Sequence, residues 1–87
     1  MITSAQYSID GTAVRIAAAA NGYRQVHVHV IGNAAIYVNG TNNVTTTNGF
    51  YIDKNAGPQN FQVGPHEELW AIAGGTPQAV TVLITGP

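Results

Sequence analysis

The stretch Arg24-Gln25-Val26-His27-Val28-His29-Val30-Ile31 alternates without a break. Val26, Val28 and Val30 fall on one side of an extended chain, and Gln25, His27, His29 and Ile31 fall on the other. A helix would scatter the three valines around its circumference, and β-branched side chains lose rotamer freedom there. The stretch therefore predicts a strand with one buried and one polar face. Such a strand needs a sheet beside it and a second layer over its apolar side.

Outward from that strand the same grammar repeats. Upstream, residues 6–9 form a short candidate strand closed by Asp10-Gly11, and residues 13–18 form another with Val14 and Ile16 on one face. The alanine run 17–20 favours helix by propensity, but Gly11 and Gly22 leave little more than one turn for it. It reads as strand running into a turn at Asn21-Gly22. Downstream, Gly32-Asn33 leads into residues 35–39, with Ile36 and Val38 opposite Tyr37, and the spacing predicts that this strand pairs with 24–31 as a hairpin. Residues 39–48 are a polar Asn, Gly and Thr loop interrupted by Val44. Strands are expected at 50–53, 60–63, 68–73 and 79–85, separated by Gly- and Pro-containing turns.

Eight short strands and no helical segment of useful length exclude a parallel α/β fold. The expected architecture is all-β: a small antiparallel two-sheet sandwich, jelly-roll-like, occupying residues 1–87 as a single domain. Strict alternation assigns the core to Val14, Ile16, Val26, Val28, Val30, Ile36, Val38, Phe61, Val80, Val82 and Ile84. Composition agrees. Val and Ile supply 17 of the 21 Val, Ile, Leu and Phe residues, an imbalance that suits pleated surfaces.

The charge content is unusual. Asp10, Arg15, Arg24, Asp53, Lys54, Glu67 and Glu68 are the charged residues, 8% of the chain, with a formal net charge of −1. A typical soluble domain carries about 25%. There is no basic footprint for nucleic acid and no apolar run of the length a membrane-spanning helix needs. The first residues, Met1-Ile2-Thr3-Ser4, lack the pattern of a signal peptide, so the expectation is a protein made in the cytoplasm and used without export. With no cysteine, disulfides and thiolate metal sites are excluded, and a domain this small leans on oligomerisation or docking for support.

Few residues point to chemistry. His27 and His29 lie on one face of their strand, a spacing that can chelate zinc or copper, and His66 beside Glu67 and Glu68 could add a ligand. The pair has only half of a cupin-like metal strand, because the acidic residue expected a few positions later is missing. The expectation is no metal and no cofactor. There is no cysteine nucleophile, no G-x-S-x-G elbow and no phosphate-binding glycine loop, so the chain is not expected to be an enzyme. Asn39-Gly40-Thr41 and Asn43-Val44-Thr45 match the glycosylation sequon but read as turn residues. Trp70 alternates with Leu69 and Ala71, giving its strand two apolar faces. One enters the core; the other is covered by a loop or forms a contact surface. Tyr23, Tyr37 and Tyr51 lie near turns or on outward faces.

Residues 34–40 (AAIYVNG), 44–50 (VTTTNGF) and 69–75 (LWAIAGG) together resemble a pattern in small virion proteins of tailed phages. In those proteins a hairpin ending in Gly precedes V-T-x-x-N-G-F, and an L-[YW]-A-I-A strand precedes the last strand. The resemblance implies a capsid decoration or cement protein located on the virion, a homotrimer seated on a lattice of major capsid protein. The residues expected to make that contact are Tyr37, Asn43, Val44, Tyr51 and Trp70. The alternative from another class is a small lectin-like carbohydrate-binding or phage tail adhesion module using the same tyrosines, Trp70 and the Asn/Thr loop.

Overall fold

The computed structural model describes residues 1–86. Eight strands follow in chain order: β1 (Ile2–Ile9), β2 (Val14–Ala17), β3 (Arg24–Val30), β4 (Ile36–Asn39), β5 (Phe50–Ile52), β6 (Gln59–Val63), β7 (Leu69–Ala73) and β8 (Gln78–Thr85). They form two four-stranded antiparallel sheets, sheet A in the order β1-β8-β3-β6 and sheet B in the order β2-β7-β4-β5. This is the jelly-roll arrangement of two interleaved Greek keys, so the all-β sandwich expected from the sequence is borne out.

The valine alternation sets the layer between the sheets. Val26, Val28 and Val30 of β3 are essentially inaccessible, as are Val80 and Val82 of β8 beside them. From sheet B, Ile16, Ile36, Val38, Ala71 and Ala73 meet them, joined by Ile9, Ile52, Val63 and Leu69. Val14, Phe61 and Ile84, expected in the core, pack against its rim and remain partly exposed.

Two expectations need correction. The predicted hairpin of β3 with β4 does not exist: β3 pairs with β6 and β8 in sheet A, while β4 pairs with β5 and β7 in sheet B. The loop between them crosses from one sheet to the other, so the two strands bury their apolar faces against each other's layer instead of side by side in one ladder. The first strand is also twice its expected length. It pairs with β8 over its whole span, from Ile2↔Thr85 to Ile9↔Gln78, without a register shift. Residues 2–6 are exposed whichever way they point, so no hydrophobic period marks them.

Crossing loops leave backbone groups without ladder partners, and two buried polar side chains take them up. Arg24, 6% exposed, shares the inward parity of Val26. Its Nε donates to the Gly22 carbonyl (3.3 Å), one Nη donates to Ala18 O, and the other donates to Gly64 O (3.2 Å) and Glu67 O (2.9 Å). One guanidinium thus joins the β2–β3 and β6–β7 connections. In the latter, Glu67 N donates to Gly64 O (3.2 Å), with Pro65 at the second turn position and His66 at φ 65° in the third. That is a type II turn, in which a positive φ is required where His66 stands. At the other end, Gln78, 3% exposed, accepts from Ala34 N (2.8 Å) and donates to Thr76 O (2.9 Å). It joins the β3–β4 and β7–β8 connections.

Two substitutions test this frame. Val28→Asp buries an unpaired charge in a central strand and should abolish folding, since such changes cost more than about 4 kcal/mol in a domain holding about 4–13. A cooperative melt near the wild-type Tm would refute the face assignment. Arg24→Ala removes a charged donor from several carbonyls and should cost about 3 kcal/mol, a fall in Tm of at least about 12 °C. Arg24→Lys should recover only part of that, because one ammonium cannot span the carbonyls that the planar fork reaches. Thermal denaturation of the three proteins measures both effects.

Candidate binding face

The outer face of sheet B brings together Tyr37, Tyr51 and Trp70. Antiparallel pairing aligns Arg15 of β2 with Trp70 of β7, and Trp70 with Asn39 of β4. The next row runs Ile72, Tyr37, Tyr51 across β7, β4 and β5. Tyr37 and Tyr51 meet edge-on, with ring centroids 5.5 Å apart at 62°. Residues on adjacent rows of one face lie about 7–8 Å apart, so Trp70 and Tyr37 are diagonal neighbours. Trp70, Tyr37 and Ile72 are half-buried by their neighbours in the sheet, and Tyr51 is 55% exposed. Among the described residues, no third layer of secondary structure lies over them.

Trp70 is held in place from one side. Its Nε1 donates to Glu68 Oε1 (3.1 Å), and the other carboxylate oxygen receives Arg15 in a salt bridge of 3.1 Å. The indole hydrogen bond first, and the guanidinium second, hold the Glu68 carboxyl below the ordinary glutamate value. Glu68 therefore clamps an aromatic and a cationic side chain side by side.

Of the residues expected to make contact, Tyr37, Tyr51 and Trp70 share this face. Val44 does not. It is 3% exposed and serves as the apolar anchor of the β4–β5 loop. The loop around it is closed by its own side chains. Asn48 Oδ1 accepts from Thr45 N (2.8 Å), Asn48 Nδ2 donates to the Asn43 carbonyl (3.1 Å), and Thr45 Oγ1 accepts from both Thr47 N and Asn48 N (3.2 Å each). Gly49 is required there, since a Cβ would lie 2.6 Å from that of Tyr37. Asn43 stays exposed on this built loop. Arg15, Asn39 and Ile72 were not expected at the site. Only the non-sequential strand order puts them there.

The histidines lie elsewhere. His27 and His29 point from the outer face of sheet A into a shallow cleft of about 330 Å³ with Ser4, Pro58, Thr81 and Leu83. His66 lines a separate cleft of about 400 Å³ with Phe61, Val63, Glu67, Glu68 and Leu69. Among the described residues, no three His, Asp or Glu side chains converge as metal ligands would. Each carboxylate has a structural partner. Asp10 accepts from Thr12 N (2.9 Å), Asp53 from Lys54 N (2.8 Å), Glu67 from Gly64 N (2.7 Å), and Glu68 from Arg15 and Trp70.

No family model and no curated protein matches this chain. Among solved structures, it is similar to the crystal structure of Aeromonas hydrophila PliG, a periplasmic lysozyme inhibitor of g-type lysozyme. The TM-score is 0.51 at 11% identity, over 97% of this chain and 84% of that one. The likeness shows the fold. It also overturns the expected function. A solved structure of similar fold is a lysozyme inhibitor, and no family or curated match supports the capsid decoration or cement role inferred from the turn-and-strand pattern. Nor does the lectin-like or tail adhesion alternative gain support from it. The pattern misled because V-T-x-x-N-G-F and L-W-A-I-A are consequences of a loop closed by Thr and Asn and a strand buried on one face, which any small sandwich can share.

The lowered pKa of Glu68 gives a direct test of the clamp. Its charged form favours the folded arrangement at neutral pH, and that contribution is lost as pH falls through the depressed folded-state value. Trp70 is the only tryptophan. Its fluorescence should therefore change with a midpoint below the ordinary value of about 4.3, and Glu68→Gln should remove that transition. A midpoint above the ordinary value would show that the clamp is absent.

Proposed function

We propose that this domain is a non-catalytic binding module that engages a partner protein through the outer face of sheet B, centred on Trp70. The observation that carries the reading is the pair of rows Arg15-Trp70-Asn39 and Ile72-Tyr37-Tyr51 on an uncovered sheet face. Trp, Tyr and Arg dominate binding hot spots because they bury large areas at low entropic cost and carry polar tips. A chain with so few charges leaves this face little long-range repulsion to overcome.

A protein partner fits better than a small molecule. Small ligands favour concave sites, and neither cleft described above contains Tyr37, Tyr51 or Trp70. A non-catalytic role fits the carboxylates, whose hydrogen bonds all serve turns or the Trp70 clamp. PliG, a lysozyme inhibitor, contributes the fold to this reading and no residue of the face.

Affinity capture with the wild-type domain and with Trp70→Ala, followed by calorimetry on the purified partner, tests the proposal. Trp70→Ala should keep its fold and lose about 2 kcal/mol of binding, roughly thirtyfold in Kd. His27→Ala, on the opposite sheet, should bind as the wild type does. A partner that ignores Trp70→Ala but loses His27→Ala would move the binding face to sheet A. Specific binding to glycans through Trp70 would overturn the protein-partner reading.

A further inference from the structure

We infer that this chain forms a two-fold dimer by antiparallel pairing of β1 with β1 of a second copy, joining the two A sheets into one of eight strands. This concerns a different surface from the Trp70 face and does not depend on it.

The sandwich has four sheet edges, and exposed edges invite pairing unless they are blunted. Three are blunted. β2 has four residues, carries Arg15 and breaks register between Arg15 and Ala17. β5 has three residues and runs into Asp53 and Lys54. β6 has five residues between Pro58 and Pro65. β1 has none of these devices. It runs eight residues, Ile-Thr-Ser-Ala-Gln-Tyr-Ser-Ile, with no charge, no proline, no glycine and no bulge.

The hydrogen bonds fix which groups point outward. Met1 N donates to Gly86 O (2.7 Å) and Gly86 N donates to Met1 O (3.1 Å), so Met1 and Gly86 are a hydrogen-bonded pair. In an antiparallel ladder such pairs alternate. Residues 3, 5, 7 and 9 therefore spend their backbone groups on β8, while Ile2, Ser4, Gln6 and Ser8 turn their N–H and C=O toward the open edge. One two-fold register uses all four: Ile2 opposite Ser8, Ser4 opposite Gln6, and the reverse. Its axis passes between the two copies of Ala5, which form a non-hydrogen-bonded pair. Such pairs bring Cα atoms to about 4.5 Å, and the Ala5 methyl is small enough to allow it. The edge is thus complementary to itself under a two-fold operation, as an isologous contact must be.

Sedimentation of the wild type over a wide concentration range should show mass rising from one chain to two. Ser4→Pro deletes an outward N–H without touching the β8 ladder, a position where an edge strand tolerates proline. It should keep the wild-type Tm and stay at the mass of one chain. Ala5→Cys introduces the only thiol. Under mild oxidation it should give a covalent dimer, because the predicted spacing falls within disulfide range, whereas Ser4→Cys, two residues off register, should not. A wild type that stays monomeric, or that assembles as a trimer, overturns the inference. So does dimerisation that survives Ser4→Pro, or a dimer in which Ala5→Cys fails to cross-link.

Discussion

Every connection in this domain except β4–β5 carries the chain from one sheet to the other, and that crossing is the constraint on which the rest depends. A hairpin turn stays within a ladder and satisfies its own backbone. A crossing loop does not, and the ends of a sandwich collect carbonyls that neither sheet can bond. Arg24 and Gln78 meet that demand, one at each end. Each occupies the first residue of an inner strand of sheet A, so each side chain starts from a rigid ladder and reaches into two loops at once. The fold keeps a cation below its surface because several carbonyl dipoles converge on it, and a planar guanidinium can serve them together.

Much of this was legible in the chain, and the reason is parity. Val26, Val28 and Val30 announce a strand buried on one face, and Val80 and Val82 do the same for its neighbour. The same parity places Arg24 with the valines of β3 and Gln78 with the valines of β8, so both buried polar residues were signalled by being in step with an apolar set. Charge and polarity ordinarily go with exposure, and at these two positions parity outweighs them. What parity cannot give is partner choice. Gly32-Asn33 marks a reversal of the chain, but nothing local says whether the next strand returns in the same sheet or the opposite one. The first half of β1 was invisible for a different reason: a strand exposed on both faces has no hydrophobic period to read.

The candidate face divides along the same line. Tyr37, Tyr51 and Trp70 were legible as outward-pointing aromatics on their own strands. Their meeting on one surface was not, since β2, β7, β4 and β5 become neighbours only through the crossings. Val44 shows the converse error. An isolated apolar residue in a polar loop reads as an exposed contact, yet here it is the anchor around which Thr45 and Asn48 close the loop.

The two surfaces argued for above are geometrically linked. In an antiparallel pair, residues opposite each other project to the same side of the sheet. A two-fold axis relating the two β1 strands must therefore stand perpendicular to sheet A. Both B sheets then lie on the same side of the joined A sheet, and both Trp70 faces look outward in the same general direction. A dimer built this way presents two copies of one face to one target surface. The second contact becomes intramolecular once the first is made, which raises avidity by about 10²–10⁴ where the spacing of sites on the target matches. A face too small for tight binding alone can work in pairs, and the bare β1 edge supplies the pairing without altering a single residue of the face.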